Sequence, residues 1–367
     1  MKISYWMILV ASLYSYKDLI KNSEHCSLFL RKATVQIIYV VCSVFLIACQ
    51  PGSIAETVIF TGPTMGTDYR VTLVVPSQYR YDHLESKILA QLESVNASMS
   101  NYLDDSEVSQ INRLQVNHQL RLSTSTLEVI SEAMHISDLS DGAFDITVGK
   151  AVKLWGFGAD GEVNKRPTIE QLNALKTSVG YQNLRLQGSV ISKQHSDTEI
   201  DLSAIAKGYA VDQIAKLLDL EDINNYLINV GGELRAKGHN SNHQVWRIAI
   251  EKPVELGGIQ QIIVLQDKAI ATSGDYRNYI VFNGKRYSHT IDPETLEPVL
   301  HHLALVSVIS DRTSTADALA TALMSMGEES ALEFAKDQGL AAYFVIRTED
   351  ETKFEVSYTQ NFIPYLQ

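Results

Sequence analysis

The sequence is poor in cysteine and in proline, and it is short of positive charge. Each shortage excludes something. Its three cysteines are Cys26, Cys42 and Cys49, so the long stretch after residue 49 holds no disulfide, no thiolate metal site and no cysteine nucleophile. A metal held by that stretch must be bound through oxygen or imidazole. The 8 prolines and 20 glycines are scattered and mark no linker, and no repeat of solenoid period is visible. With 31 basic residues against 43 acidic ones, the formal net charge is −12. An acidic surface argues against nucleic acid as a partner, because phosphate binding rests on basic patches. Nor is there an apolar run of the roughly 20 residues that a membrane span takes.

What is present starts at the N-terminus. Arg31 and Lys32 precede an apolar run, 33–48, ending in Leu46-Ile47-Ala48-Cys49. A basic start, a short apolar stretch and small residues before a cleavage point read as a secretory signal over 1–48. A cysteine placed directly after Leu-Ile-Ala resembles the bacterial lipobox. That resemblance implies a lipid on Cys49, loss of everything before it and a lipidated linker over 49–60. A plain membrane anchor and a soluble secreted protein are the competing readings. Residues 1–27 sit badly in a signal peptide, since a weakly apolar stretch there is followed by the polar 17–24. The expected start therefore lies near Leu28 or Leu30, with 1–27 a mis-annotated extension. Removing 1–48 takes away five basic and two acidic residues and leaves a still more acidic chain. About 320 residues remain, a length whose prior is two domains.

Periodicity along the rest mixes strands and helices without strict alternation. Residues 58–60 and 69–75 read as strands bounded by glycine and proline. In 81–98, Leu84, Ile88, Leu92 and Val95 fall on one helical face, and 125–140 repeats the pattern. Residues 145–155 and 168–177 read as helices, and a hairpin is expected around Gly188. A helix over 204–218 follows a strand end at Ile200-Asp201, with Asp201 and Ser203 as its caps. Strands are expected over 226–230, 246–251, 261–264, 269–272, 305–309 and 341–347. A hairpin over Asn283-Gly284 joins 279–282 to 286–289. Helices are expected over 315–326 and 330–338. This mixture is α+β.

Six short segments carry more Gly, Asp, Thr, Ser and aromatic residues than a fold requires: 64–69, 99–107, 141–147, 201–212, 271–279 and 316–323. Singly, each is as well explained by a turn. Two stand out by their own chemistry. Asp317 and Thr321 stack at i and i+4 on a helix and offer hard oxygen ligands of the kind Mg²⁺ takes. Lys207 lies one turn into a helix whose N-terminus attracts anions. The bland readings are a helix-dipole aspartate and a solvated lysine.

Together and in this order, with Asn229-Val230-Gly231-Gly232-Glu233-Leu234 and Ser288-His289-Thr290-Ile291-Asp292-Pro293, the segments resemble the FAD:protein FMN transferase (ApbE) family. The resemblance spans about 61–326, inside a transferase domain expected over 61–350 with a C-terminal tail over 351–367. It implies two similar α/β halves with mixed sheets flanking a flavin cleft, a fold related to the T-fold. It implies a Mg²⁺ site of Asp317 and Thr321 with the backbone carbonyls of Ala204 and Ala320, completed by the diphosphate of FAD. It implies FAD contacts from Met65, Tyr102, Ala143, Phe144, Asp145, Asp201, Lys207 and Ile291. Of the 10 histidines only His289 falls inside a matched segment, and imidazole suits a base that takes a hydroxyl proton. The chain departs from the family where 292–298 lacks the usual glycine after Asp-Pro, and where Thr290 replaces a large aliphatic residue.

The activity so implied is Mg²⁺-dependent transfer of FMN from FAD to a Thr or Ser hydroxyl of another protein, with release of AMP. The acceptor implied is a membrane redox subunit such as those of Nqr and Rnf complexes. A Mg²⁺-dependent FAD pyrophosphatase would use the same site with water as nucleophile. A non-enzymatic flavin-binding lipoprotein would be expected to lack Asp317, Thr321 or His289, and all three are present. The lipid anchor implies the periplasmic side of a bacterial membrane, the inner one if the acceptor is a redox subunit.

Overall fold

The structure, a computed structural model, describes residues 55–158, 166–254, 257–276, 278–282, 284–350 and 353–367. The leader and Cys49 lie outside these residues. Among the described residues no helix is long and apolar enough to cross a membrane.

The described chain opens with a hairpin, β1 (Ala55–Thr64) and β2 (Thr67–Pro76), and helix α1 (Leu84–Met99). A long insertion follows: α2 (Glu107–Asn112), β3 (Gln119–Arg121), α3 (Thr124–Leu139), α4 (Gly149–Leu154), α5 (Ile169–Leu175), β4 (Leu184–Gln187) and β5 (Val190–Lys193). Helix α6 (Ala206–Leu220) and the hairpin β6 (Tyr226–Val230) and β7 (Glu233–Lys237) complete a first half. A separate hairpin, β8 (Trp246–Glu251) and β9 (Ile259–Leu265), leads to the second half. There β10 (Lys268–Gly274) is followed by an inserted hairpin, β11 (Tyr279–Phe282) and β12 (Lys285–Ser288). Then come β13 (Leu303–Ser310), α7 (Thr313–Met326), α8 (Glu328–Asp337), β14 (Ala341–Arg347) and β15 (Phe354–Tyr358).

Without their insertions both halves read strand, strand, helix, helix, strand, strand. In each, the four strands lie side by side in chain order, as β1-β2-β6-β7 and β10-β13-β14-β15. Because β7 pairs with β10, the two halves share one sheet of eight strands. The α+β class and the two similar halves are thus both present. Their pairings are antiparallel rather than mixed. The cause is the connection: a pair of helices returns the chain to the end of the sheet it left, so the next strand runs back along its neighbour.

Helices cover one face of this sheet. Helix α1 buries Leu84, Ile88, Leu92, Val95 and Met99 there, the stripe its periodicity predicts. The opposite face packs on the β8–β9 hairpin and on the C-terminus. Strand β13 is buried on both faces and reads as a nearly continuous apolar run. Two expected boundaries move. Strand β1 begins at Ala55, inside the expected 49–60 linker and three residues before the strand expected over 58–60. The expected tail belongs to the fold over 353–367: β15 pairs with β14, and the wholly buried Phe362 ring lies 5.3 Å from Tyr343.

Helices α6 and α7, one from each half, cross so closely that a Cβ on Gly208 would lie 2.5 Å from the Thr313 carbonyl oxygen. Neither begins on a capping side chain, since the N-cap residues Ile205 and Arg312 make no such bond. Each takes a carboxylate from the other instead. Asp317 Oδ2 accepts the Gly208 N–H at 3.1 Å, and Asp212 accepts the N–H groups of Thr313 and Ser314 at 2.9 and 3.0 Å. Orphan N–H donors of the first turn are satisfied in this way, and both charges sit at the favourable end of a helix dipole. Alanine is a better helix former than glycine by about 1 kcal/mol, but a backbone carbonyl cannot yield to it without parting the helices. Gly208→Ala is therefore expected to destabilise the protein by about 1–3 kcal/mol. The check is a lower urea midpoint at unchanged m-value.

Candidate active site

A cleft of about 1040 Å³ opens where the strand ends, the start of α6 and the middle of α7 converge. Its size is at the upper end for small-ligand sites and suits a large, elongated ligand. Turns that need positive φ form much of its rim. Met65 and Gly66, at φ 47° and 74°, make the two-residue turn between β1 and β2. Gly231, at φ 63°, turns β6 into β7, and a Cβ there would meet the side chains of Thr67 at 2.9 Å and Lys207 at 3.2 Å. Only glycine lets these three segments close on one point.

At that point lies a charge cluster of two buried carboxylates and a half-buried ammonium. Lys207 Nζ is 2.8 Å from Glu233 Oε1 and 3.9 Å from Asp317 Oδ2, and it donates to the Ser203 carbonyl at 3.3 Å. Burial alone would lower the lysine's pKa, but Asp317 and Glu233 together hold it above the ordinary value, so it is a fixed cation. For Asp317 the balance runs the other way. Burial raises its pKa against the opposing pull of Lys207 and of the Gly208 N–H. One turn along α7, the Thr321 hydroxyl lies 3.2 Å from Ser273 Oγ at the end of β10. Asp317 and Thr321 both line the cleft, as the i, i+4 spacing predicts.

His289 follows β12 on the cleft wall and is half-buried. Its Nδ1 is 3.0 Å from the Asn278 carbonyl oxygen, and its backbone N–H donates to the same oxygen at 3.2 Å. A carbonyl only accepts, so in the neutral ring the proton is on Nδ1 and Nε2 keeps a free lone pair. Burial lowers the ring's pKa, and nearby Lys207 adds to this. The Asn278 hydrogen bond and Asp275 oppose them without reversing the direction. The imidazole is thus neutral and base-competent at neutral pH.

The other expected contacts divide. Met65, Tyr102, Ala143, Phe144, Asp145, Asp201, Ala204 and Ile291 all line the cleft. Tyr102 is 70 % exposed, a ring free to cover a planar ligand. Phe144 is buried at 2 %. The carboxylate of Asp145 is engaged inside the protein: Oδ1 accepts from the Thr147 N–H at 2.7 Å and Oδ2 from the Tyr181 N–H at 2.6 Å. Asp201 Oδ1 accepts the Ser203 N–H at 2.8 Å in a turn ahead of α6, which itself starts only at Ala206. Neither Asp201 nor Ser203 caps that helix. Ala320 is wholly buried inside α7 and, unlike its neighbour Thr321, does not line the cleft. The loop without glycine bends at Leu296, which adopts φ 61°. Its side chain is buried beside Trp155, Tyr287 and Ile291, and its carbonyl accepts the Trp155 indole N–H at 2.8 Å. Packing and a hydrogen bond here hold a backbone conformation that costs a non-glycine residue about 1–2 kcal/mol.

Two site residues escaped the sequence reading. Glu233 pairs with Lys207, and the Asn278 carbonyl orients His289. Glu233 carried a signal, a carboxylate directly after Gly231-Gly232. Asn278 carried none, because a backbone carbonyl has no residue signature.

The site thus has a fixed ammonium, a base-competent imidazole and oxygen donors facing one large cleft at the junction of two duplicated α+β halves. Comparison with known proteins agrees. The ApbE family model matches residues 65–344. An FAD:protein FMN transferase of Vibrio cholerae is 42% identical over 314 residues, 85% of this chain and 93% of that one. A protein of the same name from Haemophilus influenzae is 40% identical over 334 residues, 88% of this chain and 95% of its own. Among solved structures, the flavin transferase ApbE from Vibrio cholerae superposes with a TM-score of 0.79 at 41% identity, covering 85% of this chain and all of that one. The chain belongs to the ApbE family.

The raised pKa of Asp317 has a consequence for stability. A carboxyl raised above its unfolded value of 3.8 contributes stability at pH below that value and loses it as pH rises through the folded pKa. As pH rises above 3.8 that contribution therefore falls away. Asp317→Asn keeps an acceptor for the Gly208 N–H without a titrating group. Its thermal midpoint in EDTA is expected to lack this part of the acid-to-neutral decline; a pH dependence identical to the parent's would contradict the assignment.

Proposed function

We propose that this protein is a Mg²⁺-dependent FAD:protein FMN transferase, which moves FMN from FAD onto a Thr or Ser hydroxyl of another protein and releases AMP. The observation that carries the reading is the convergence of His289, Lys207, Asp317 and Thr321 on one cleft, in a chain whose curated relatives are named for this activity.

The donor set fits Mg²⁺. Among the described residues no cluster of three or more His, Cys, Asp or Glu side chains could cage a metal alone. One buried carboxylate, one hydroxyl and the backbone carbonyl of Ala204 leave coordination positions open, and Mg²⁺ commonly fills such positions with substrate phosphate oxygens. When bound, the ion would supply positive charge against the diphosphate. Lys207 adds a second positive charge on the same side, and Glu233 holds it there. Tyr102 covers the flavin ring, and Met65 supplies an adaptable apolar wall. The acceptor hydroxyl attacks the phosphorus on the FMN side of the diphosphate. His289 Nε2 takes its proton as the new P–O bond forms, and the bond to the AMP oxygen breaks. Little other covalent machinery is required, because positioning and charge neutralisation dominate such transfers.

The leader motif extends the reading. A lipid on Cys49 would hold the enzyme on the periplasmic side of the inner membrane. A redox subunit of Nqr or Rnf type would present its acceptor threonine or serine there.

The test uses the soluble chain from Gly52 onward with FAD, Mg²⁺ and a domain carrying the acceptor residue. An intact-mass gain of one FMN, lost with EDTA, is the expected result. FMN and AMP appearing with no mass gain would replace transferase with pyrophosphatase, and FAD held unchanged would leave only a binding protein. His289→Ala is expected to slow transfer about 10²- to 10⁴-fold. The working base is the neutral ring, and its pKa lies below the ordinary 6.5. The rate should therefore hold as pH falls through 6.5 and drop only in more acidic buffer. An acid limb centred above 6.5 would remove His289 from this role.

A further inference from the structure

We propose that Asp212, backed by Glu132, is a positioning residue that sets the cation-holding face of α7 from outside the cleft. This rests on the reading of Asp317 and Thr321 as cation ligands.

Asp212 is on α6 and is not among the residues lining the cleft. Both its oxygens are engaged at the start of α7. Oδ1 accepts from the Thr313 N–H at 2.9 Å and from Arg235 Nη1 at 3.1 Å, and Oδ2 accepts from the Ser314 N–H at 3.0 Å. The Ser314 hydroxyl lies 3.0 Å from Asp212 Oδ2 and 2.9 Å from Glu132 Oε2 on α3, and donates its one proton to either of them in turn. Glu132 also accepts from the Thr315 hydroxyl and pairs with Arg312 Nη2 at 3.0 Å. Three successive residues of the first turn, 313–315, are thereby held by two carboxylates.

Asp317 lies one turn beyond Thr313, and Thr321 one turn beyond that. A helix transmits the rotation and height of its first turn to the turns that follow, so fixing 313–315 fixes where the Asp317 carboxylate and Thr321 hydroxyl point. Within α7 itself no N-cap side chain holds this first turn, because Arg312 makes no cap bond. Without Asp212 the first turn is left with unsatisfied N–H groups, and the two ligands lose their common frame. Partners that orient metal ligands typically contribute about 10- to 100-fold in metal affinity.

The experiment is Mn²⁺ binding to the full chain, followed by the electron paramagnetic resonance of free Mn²⁺, alongside FAD binding in EDTA by flavin fluorescence. In Asp212→Asn one acceptor oxygen becomes an NH₂ that faces a backbone N–H. The Mn²⁺ Kd is expected to rise about tenfold, while the FAD Kd in EDTA stays within twofold and the far-ultraviolet circular dichroism is unchanged. A folded variant with parental Mn²⁺ affinity overturns the proposal. Equal loss of Mn²⁺ and FAD binding also overturns it, since that is a general structural defect. If Asp212→Asn does not fold, Ser314→Ala decides: a two- to fivefold rise in Mn²⁺ Kd supports the proposal, and an unchanged Kd overturns it. A parental protein that binds no Mn²⁺ removes the ligand reading of Asp317 and Thr321, and this inference with it. A normal parent with an unaltered Asp212→Asn variant removes this inference alone.

Discussion

Two helices that start without caps of their own exchange carboxylates, and the rest of the site depends on that exchange. The Gly208 contact brings α6 and α7 close enough for Asp317 to reach the first turn of α6, and for Asp212 to reach the first turn of α7. The start of α6 carries Lys207, with Ala204 in the turn just ahead of it; the middle of α7 carries Asp317 and Thr321. Each helix belongs to a different copy of the strand–strand–helix–helix–strand–strand unit. The site is therefore assembled by the contact between copies, and neither half contains it alone. Asp317 joins the two tasks, as a cap for one helix and a cleft-lining acid on the other.

Electrostatics follow from the same contact. Lys207 is set between Glu233 and Asp317, so the cluster holds two carboxylates for one ammonium. A diphosphate arriving by itself would meet two carboxylates beside the one ammonium, and a cation arriving by itself would keep open coordination positions. Each would bind alone, and more tightly once the other is in place. The depressed pKa of His289 adds to this arrangement, since a neutral imidazole beside Lys207 avoids a second positive charge and keeps its lone pair available.

Much of this was legible in sequence where a residue's own chemistry matched a period. The α1 stripe, the Asp317–Thr321 pair and the hairpin over Gly284 needed only spacing. What was hidden depended on tertiary partners. The cap of α6 comes from Asp317, far along the chain, so Asp201 and Ser203 took its place in a local reading. Asp145 reads as a cleft acid until the N–H groups of Thr147 and Tyr181 claim its oxygens. Ala320 lies three residues after Asp317 and one before Thr321, so spacing alone sets it beside that face, and its burial shows only when α7 is packed. The C-terminal residues looked like a tail although Phe354, Val356 and Tyr358 alternate with polar residues, because β15 is a short, largely exposed edge strand and the buried anchor, Phe362, lies beyond it. Leu296 adopts a φ of 61°, which glycine takes at least cost, and its burial against Trp155 and Tyr287 explains why leucine is tolerated there.

That last contact gives the protein a built-in optical reporter. The Trp155 indole is hydrogen-bonded to the Leu296 carbonyl and stacked at 5.6 Å on Tyr287, two residues before His289. Its near neighbours Val152, Lys153 and Phe157 line the cleft. Indole emission overlaps flavin absorption, so a flavin seated in the cleft would quench this tryptophan by energy transfer. A shift of the His289 loop would change the polarity around it. With Trp246 replaced by phenylalanine, Trp155 is the one tryptophan after residue 49, and binding and loop movement can then be followed separately, by intensity and by wavelength.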